Sequence, residues 1–232
     1  TFVSGHNPPV WVASADLLST EQVGNNLPGM HMAEFPGEGH PIEVTFQASS
    51  GDDDFGGVVL GYQAGESTSA SAEYLLIDWK GADQTQGGQF APEGLAVSRI
   101  TGVADPRDLW GHTNNVVELA RGNVFGSDGW TPGTAYDFRI EQTATTLQIW
   151  VDGVLEFDLV GTFPTGRFGV YSFSTTDCAY TLTQPAGESI CIDVAAPDAP
   201  TVPDQVSYDG LPVITGSYDA DDLAVVQGLS VQ

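Results

Sequence analysis

Residues 146–157 run Thr-Leu-Gln-Ile-Trp-Val-Asp-Gly-Val-Leu-Glu-Phe, two alternating segments around Asp152-Gly153. An Asp-Gly pair accepts positive φ at both turn positions, so its flanks are expected to pair as a tight hairpin. Leu147, Ile149 and Val151 then share one face, which needs an apolar layer to cover it. Similar runs recur along the chain. Ile42-Glu43-Val44-Thr45-Phe46 alternates, and residues 57–62 and 73–79 are apolar enough for central strands. Residues 95–100 form a shorter run, and residues 135–141 and 168–174 read as a further pair of strands. No long segment carries a helical period. With 28 Gly and 14 Pro between these runs, the expected fold class is all-β, a sandwich.

The two ends read differently. Pro8, Pro9, Pro28, Pro36 and Pro41 punctuate the first 41 residues, which are expected to be irregular. Residues 195–203, Ala-Ala-Pro-Asp-Ala-Pro-Thr-Val-Pro, read as a semi-rigid linker. Beyond it, residues 206–232 are too few to build a separate core, although residues 212–216 and 223–226 are strand-like. The expected organisation is a binding domain over 1–194, followed by a linker and strands of an adjoining domain over 195–232.

Charge narrows the function classes. Lys plus Arg is 6 against 31 Asp plus Glu, a formal net charge of −25. So few bases form no phosphate-binding patch, which argues against nucleic acid and against anionic membrane surfaces. A hydrophobic fraction of 41% separates the chain from disordered acidic tails. Self-repulsion of this size asks for screening by salt or by bound cations. Calcium, which takes several carboxylate and carbonyl oxygens, is the natural ion, and a solvated acidic surface is the plainer alternative.

Cys178 and Cys191 can close a loop of about 14 residues, worth roughly 3 kcal/mol by loop-closure entropy. Pairing suits an oxidising compartment; two buried thiols are the other reading. No apolar run approaches a membrane span, and the chain reads as a piece of a larger exported protein.

Asp52-Asp53-Asp54-Phe55-Gly56-Gly57-Val58-Val59-Leu60-Gly61-Tyr62-Gln63 resembles the C-terminal domain of thrombospondins, where an acidic triplet leads into a Gly-rich strand ending in Gly-Tyr-Gln. Similar motifs follow in order: residues 74–80 ending in Trp79-Lys80, Gly94-Leu95-Ala96-Val97, Leu109-Trp110 with His112-Thr113, Trp130, Ala135-Tyr136, and residues 166–174 beginning Gly166-Arg167-Phe168-Gly169. The resemblance spans roughly residues 10–175. It implies a concanavalin-like, L-type lectin jelly roll, extracellular, with calcium at the acidic loop. Residues 212–220, Pro-Val-Ile-Thr-Gly-Ser-Tyr-Asp-Ala, resemble the entry strand of the Ig-like repeats in bacterial RTX-type adhesins, implying a partial Ig-like segment and a cell-surface setting.

The site residues follow. Three adjacent carboxylates repel unless they are exposed or share a cation. If the triplet is extended, Asp52 and Asp54 point the same way and take one ion, while Asp53 serves a second ion or the ligand. Asp83, after Trp79-Lys80, is a further metal candidate on the same rim. His112, Asn114 and Asn115 form a polar loop that can contact ligand or metal, with turn formation as the plainer role. Asp78, on a strand between apolar residues, either faces solvent or reaches a metal across the sheet, and the first is expected; Trp110 and Trp130 can stack on a ligand, but Trp110 is expected in the core. Asp177 is placed at the rim, Asp152 in a turn, and Asp219, Asp221 and Asp222 in the tail.

Neither a Gly-x-Ser-x-Gly elbow nor a His-Glu-x-x-His pattern occurs, so no catalytic residue is assigned. The expected function is a calcium-dependent, monomeric binding module of a long bacterial surface adhesin. Its partner would be a peptide or protein of a host or neighbouring cell, recognised through a C-terminal carboxylate. A glycan-binding lectin and a calcium-stiffened spacer are the alternatives, and a sandwich polysaccharidase is the enzymatic one.

Overall fold

A computed structural model of the chain describes residues 7–16, 18–183, 207–208 and 211–212. The strands of the larger unit are β1 (Trp11–Ala13), β2 (Ser19–Gln22), β3 (Gly29–Pro36), β4 (Ile42–Ala48), β5 (Phe55–Tyr62), β6 (Glu73–Lys80), β7 (Gln84–Gln86), β8 (Gln89–Ala91), β9 (Gly94–Thr101), β10 (Val116–Arg121), β11 (Ala135–Gln142), β12 (Thr146–Val151), β13 (Val154–Val160), β14 (Arg167–Phe173) and β15 (Cys178–Thr183). A short α-helix, α1 (Pro106–Gly111), and a 3-10 turn over Glu66–Thr68 interrupt them. Two antiparallel sheets carry the fold, one in the order β1-β2-β15-β4-β11-β12-β13 and the other β10-β9-β6-β5-β14-β3.

Sequence periodicity explains how each sheet is covered. Along β4 burial alternates strictly, with Ile42, Val44, Phe46 and Ala48 inside. They meet Val58, Leu60, Leu75, Ile77 and Trp79 of the facing sheet in the main core. β5 and β6 lack that alternation because both their faces are buried. A second apolar cluster, including Phe55, Val59, Leu76, Leu109, Trp110 and Phe173, covers the outer side of the six-stranded sheet. A doubly covered strand reads as a continuous apolar run, as residues 57–62 do.

The hairpin forms as expected. Asp152 has φ 50° and Gly153 φ 78°, and β12 pairs with β13 through one bulge. Two expectations are corrected. The first 41 residues hold β1, β2 and the eight-residue β3. Their prolines mark strand boundaries: Pro28 precedes β3 and Pro36 ends it, on an edge strand where a missing N–H costs least. The strands at 135–141 and 168–174 exist but do not pair. β11 bonds β12 and β4, whereas β14 bonds β3 and β5 in the other sheet.

The chain divides into two units, Thr1–Ile190 and Cys191–Gln232. In the second, β16 (Ser207–Tyr208) pairs with β17 (Leu211–Pro212). The expectations for the linker, Cys191, the strand at 223–226, and Asp219, Asp221 and Asp222 lie outside the described residues.

Candidate functional site

The acidic triplet enters β5 at the end of the six-stranded sheet where β6 finishes. Asp52, Asp53 and Asp54 each offer a carboxylate oxygen within 4.8 Å of the others. The alternating arrangement expected of an extended loop is not what forms. Regular pairing begins only at Phe55, and the preceding bends turn all three carboxylates toward one another.

Backbone and aromatic contacts hold the loop. Gly81 N–H donates to the Asp53 carbonyl at 2.8 Å and Ala82 N–H to the same oxygen at 3.2 Å. The buried Trp130 indole donates to the carbonyls of Asp54 and Trp79, each at 3.1 Å. Gly81 is needed here: a Cβ would lie 2.9 Å from the Asp53 carbonyl and 3.0 Å from the Trp130 ring.

Lys80 is the triplet's cation. Its ammonium donates to Asp54 Oδ1 at 2.8 Å, to the Asp53 carbonyl at 2.8 Å and to Gln84 Oε1 at 3.0 Å. It lies 3.7 Å from Asp53 Oδ1. The side chain is 1% exposed and sits over the rings of Phe55 and Trp110. Nothing in the family motifs assigned Lys80 a role. The available signal was composition, because it is the only lysine among six basic residues.

Asn25 and Ser174 complete the wall, and no motif marks either as a site residue. Asn25 Nδ2 donates to Asp52 Oδ2 at 3.1 Å and to the Ser174 carbonyl at 2.9 Å. Ser174 and Asp177 take positive φ, 62° and 57°, where the chain turns from β14 into β15. Asp177 is exposed at this rim, and its carbonyl accepts Ser49 N–H.

Electrostatics set the triplet apart. Desolvation, then the charges of Asp54 and Asp53, raise the Asp52 pKa above the ordinary carboxylate value. Desolvation raises Asp54 as well, against the opposing pull of Lys80. A carboxylate raised in this way is stabilised by an added cation. Calcium–oxygen distances of about 2.3–2.6 Å let one ion bridge oxygens up to roughly 5 Å apart. The spacing and chemistry of the triplet therefore fit a calcium ion, with Asp54 engaged closely by Lys80, Asp53 more loosely at 3.7 Å, and Asp52 outside its reach among the ion pairs.

The other candidates are not part of the triplet cluster. Asp83 is exposed outside the triplet cluster, and its carboxylate accepts Glu93 N–H at 2.8 Å. His112 and Asn114 follow α1 with φ of 47° and 51°. Asn114 donates to Asp108 Oδ1 at 2.6 Å, and Asn115 to the Val103 carbonyl at 2.5 Å. Thr101 N–H donates to the Asn115 carbonyl, and Thr101 pairs with Glu73, at the opposite end of β6 from Lys80. Seven strand residues, about 23 Å, separate those ends. A shallow groove lined by Ala70, Ser71, Glu73, Thr101 and Asn115 marks that far end.

Asp78 does not face solvent: it is 1% exposed. It lies on the outer face of the six-stranded sheet, covered by the loop after α1, with its Oδ2 3.0 Å from His112 Nε2. Trp110 and Trp130 are both buried. Cys178 is buried too, and desolvation pushes its thiol up to about 12; its proposed partner lies outside the described residues.

The outer face of the seven-stranded sheet is polar and open. Arg139 pairs across β12 with the half-buried Trp150, its guanidinium 5.8 Å from the ring centroid. Glu141, Gln148 and Trp150 line a shallow groove with Arg139. Among the described residues, no helix is long and apolar enough to cross a membrane.

No family model matches the chain, and no curated protein matches it. Solved structures do. The carbohydrate-binding module CBM66 from Bacillus subtilis aligns with a TM-score of 0.52 at 10% identity, over 76% of this chain and 89% of the module. The Ca2+- and Man-bound exoplasmic/lumenal domain of VIP36 aligns at 0.47 and 13% identity, over 79% and 84%. Xenopus laevis galectin-Ib aligns at 0.43 and 16%, over 67% and 99%. The two sheets and the likeness to the carbohydrate-binding module place the chain among all-β, lectin-like jelly-roll sandwiches.

Proposed function

We propose that the chain is a calcium-dependent, non-catalytic binding module of a bacterial surface adhesin, taking a peptide through its C-terminal carboxylate. The observation that carries this reading is the convergence of Asp52 and Asp53 beside an Asp54 already paired to Lys80. Calcium held there would supply a positive charge at the rim of a strongly acidic protein. Asp52 and Asp53 would hold the ion, and Asn25 would orient Asp52. The Asp53 carbonyl is already taken by Gly81, Ala82 and Lys80. Calcium held by Asp52 and Asp53 would have to draw further oxygens from beyond that carbonyl, and a ligand carboxylate would supply them, which supports a binding role over a closed spacer. The ordered thrombospondin-like motifs and the adhesin-like tail support the extracellular setting.

The test is selection from a peptide library with free C-termini, in calcium and in EDTA. The reading expects binders that are lost on chelation, on C-terminal amidation, and in Asp52→Asn and Asp53→Asn. A selection yielding only calcium-independent binders would overturn it.

One observation favours a glycan instead: the open groove at Trp150, Arg139, Gln148 and Glu141, on a fold shared with a carbohydrate-binding module. An aromatic face beside planar polar groups suits a sugar ring. Binding on a glycan array that Trp150→Ala abolishes and EDTA spares would establish this reading in place of the first.

A further inference from the structure

The outer face of the seven-stranded sheet presents the half-buried Trp150 among polar side chains. Strand register sets Glu43, Arg139 and Trp150 side by side across β4, β11 and β12. Glu141, Gln148 and Asp158 form the neighbouring row across β11, β12 and β13. Arg139 is the only Lys or Arg in these two rows, and all three nitrogens of its guanidinium face carboxylates. Nε and Nη2 donate to Glu141 Oε1 at 3.0 and 2.5 Å, and Nη1 lies 3.8 Å from Glu43 Oε1. With side chains 50% and 38% exposed, the Arg139–Glu141 pair contributes little to stability. Its consequence is for what can bind beside Trp150.

The neighbouring donors are engaged in the same way. Gln148 Nε2 donates to Asp158 Oδ1 at 3.0 Å, which leaves Gln148 Oε1 as an acceptor. Thr45 Oγ1 donates to Asp137 Oδ1 at 2.6 Å, one row further along β11. A carboxylate that accepts one hydrogen bond keeps further lone pairs. Glu43, Glu141, Asp137 and Asp158 therefore make this a face of acceptors with an excess of negative charge. A ligand for it must bring hydrogen-bond donors and no anionic group.

We infer that the groove at Trp150 takes an uncharged, hydroxyl-rich glycan, which rests on the glycan reading above, and that Glu43 and Glu141 exclude acidic sugars by occupying Arg139. Trp150 supplies the apolar platform for a sugar ring. The Glu141 carboxylate and Gln148 Oε1 accept its hydroxyls. Arg139 is a positioning residue: held by two carboxylates, it stays 5.8 Å from the Trp150 ring centroid and is not offered as a fork to a ligand carboxylate.

A matched glycan array in EDTA tests this, each neutral oligosaccharide printed beside its uronic-acid, sialylated or sulfated counterpart. EDTA removes any metal at the acidic loop as a route for acidic groups. The wild-type chain should bind neutral glycans and hold the acidic counterparts about tenfold or more less tightly, since those bring like charges together. The gap should narrow in added salt, a response that groove shape alone would not give. Glu43→Gln combined with Glu141→Gln should free Arg139 and shrink the gap to about threefold or less by admitting acidic glycans. Equal or tighter binding of acidic glycans by the wild-type chain would overturn the inference, as would a gap that the double variant leaves unchanged. Should that variant not fold, the wild-type gap and its salt dependence decide. A wild-type chain that binds no glycan, or whose binding survives Trp150→Ala, refutes the glycan reading itself, and the selectivity falls with it.

Discussion

His112 Nε2 lies 3.0 Å from Asp78 Oδ2, and its Nδ1 lies 3.2 Å from Glu118 Oε2. The ring is thereby pinned between carboxylates of β6 and β10, directly after α1 ends. Asp78 is fully buried and His112 nearly so. The pairing ties the loop after α1 to the sheet beneath it and brings a charge of each sign out of water together. Removing one member strands the other. We expect His112→Ala to destabilise the fold by about 3 kcal/mol, and Asp78→Asn by a similar amount. Urea unfolding measures this, and a change below about 1 kcal/mol would mean the pair is not formed.

The same trio gives stability a pH window. Burial alone would lower the His112 pKa, but Asp78 and Glu118 outweigh it and raise the pKa from 6.5 to about 10. The hydrogen bond from His112, helped by Arg121 against desolvation, holds Glu118 down from 4.5 to about 2. A raised base stabilises fully below its unfolded value and loses that contribution as pH climbs through the folded one. A lowered acid behaves in the opposite sense. The joint contribution is therefore complete between about pH 4.5 and 6.5, and it fades from pH 6.5 to 10 and from pH 4.5 to 2. Urea midpoints across pH should show wild type losing stability above pH 7 and His112→Gln following a flatter curve there. Parallel curves would contradict the pairing.

Calcium should raise the melting temperature. An ion at 100 times its Kd stabilises the native state by about 2.7 kcal/mol, or roughly 5–10 °C for a domain of this size. Asp52→Asn and Asp53→Asn should abolish most of the rise. Differential scanning fluorimetry with magnesium as a control tests it, and an equal response to both ions would point to general screening of the acidic surface.

Gly57 marks where β5 tolerates no side chain. A Cβ there would lie 2.1 Å from the Ile77 carbonyl and 2.9 Å from Asp78 Cα, both backbone atoms that cannot swing aside. Gly57→Ala is expected to cost about 3 kcal/mol or more. Gly153→Ala, with φ 78° but nothing within 4 Å of its Cβ, carries backbone strain without a clash and should cost less. Chemical denaturation of the two variants gives the comparison.

Trp130→Phe keeps an aromatic ring but removes the N–H that serves Asp54 and Trp79. Losing this shared donor should cost about 0.5–1.5 kcal/mol, since Gly81 N–H still reaches the Asp54 carbonyl at 3.3 Å. Because the lost bond anchors the acidic loop, calcium affinity should fall as well; calorimetric titration of a folded variant with unchanged affinity would show that the loop is held without it.

The strands were legible where they obey local rules. Ile42 to Phe46 alternates because one face is wet, and Asp152-Gly153 turns because those residues accept positive φ. The acidic triplet was legible too, since three adjacent carboxylates are conspicuous in any chain. What local pattern cannot carry is partnership across the fold. Strand pairing assigned β11 and β14 to different sheets. The second apolar layer over the six-stranded sheet buried Asp78 and gave it His112, 34 residues away. Packing also drew Lys80 beneath the triplet and brought Asn25 from a proline-rich segment to Asp52, 27 residues on. The sequence by itself determined an all-β chain with an acidic loop. Only the tertiary structure decided which of those acids meets a built-in cation and which remain available, because desolvation and charge pairing depend on distances that the order of residues does not contain.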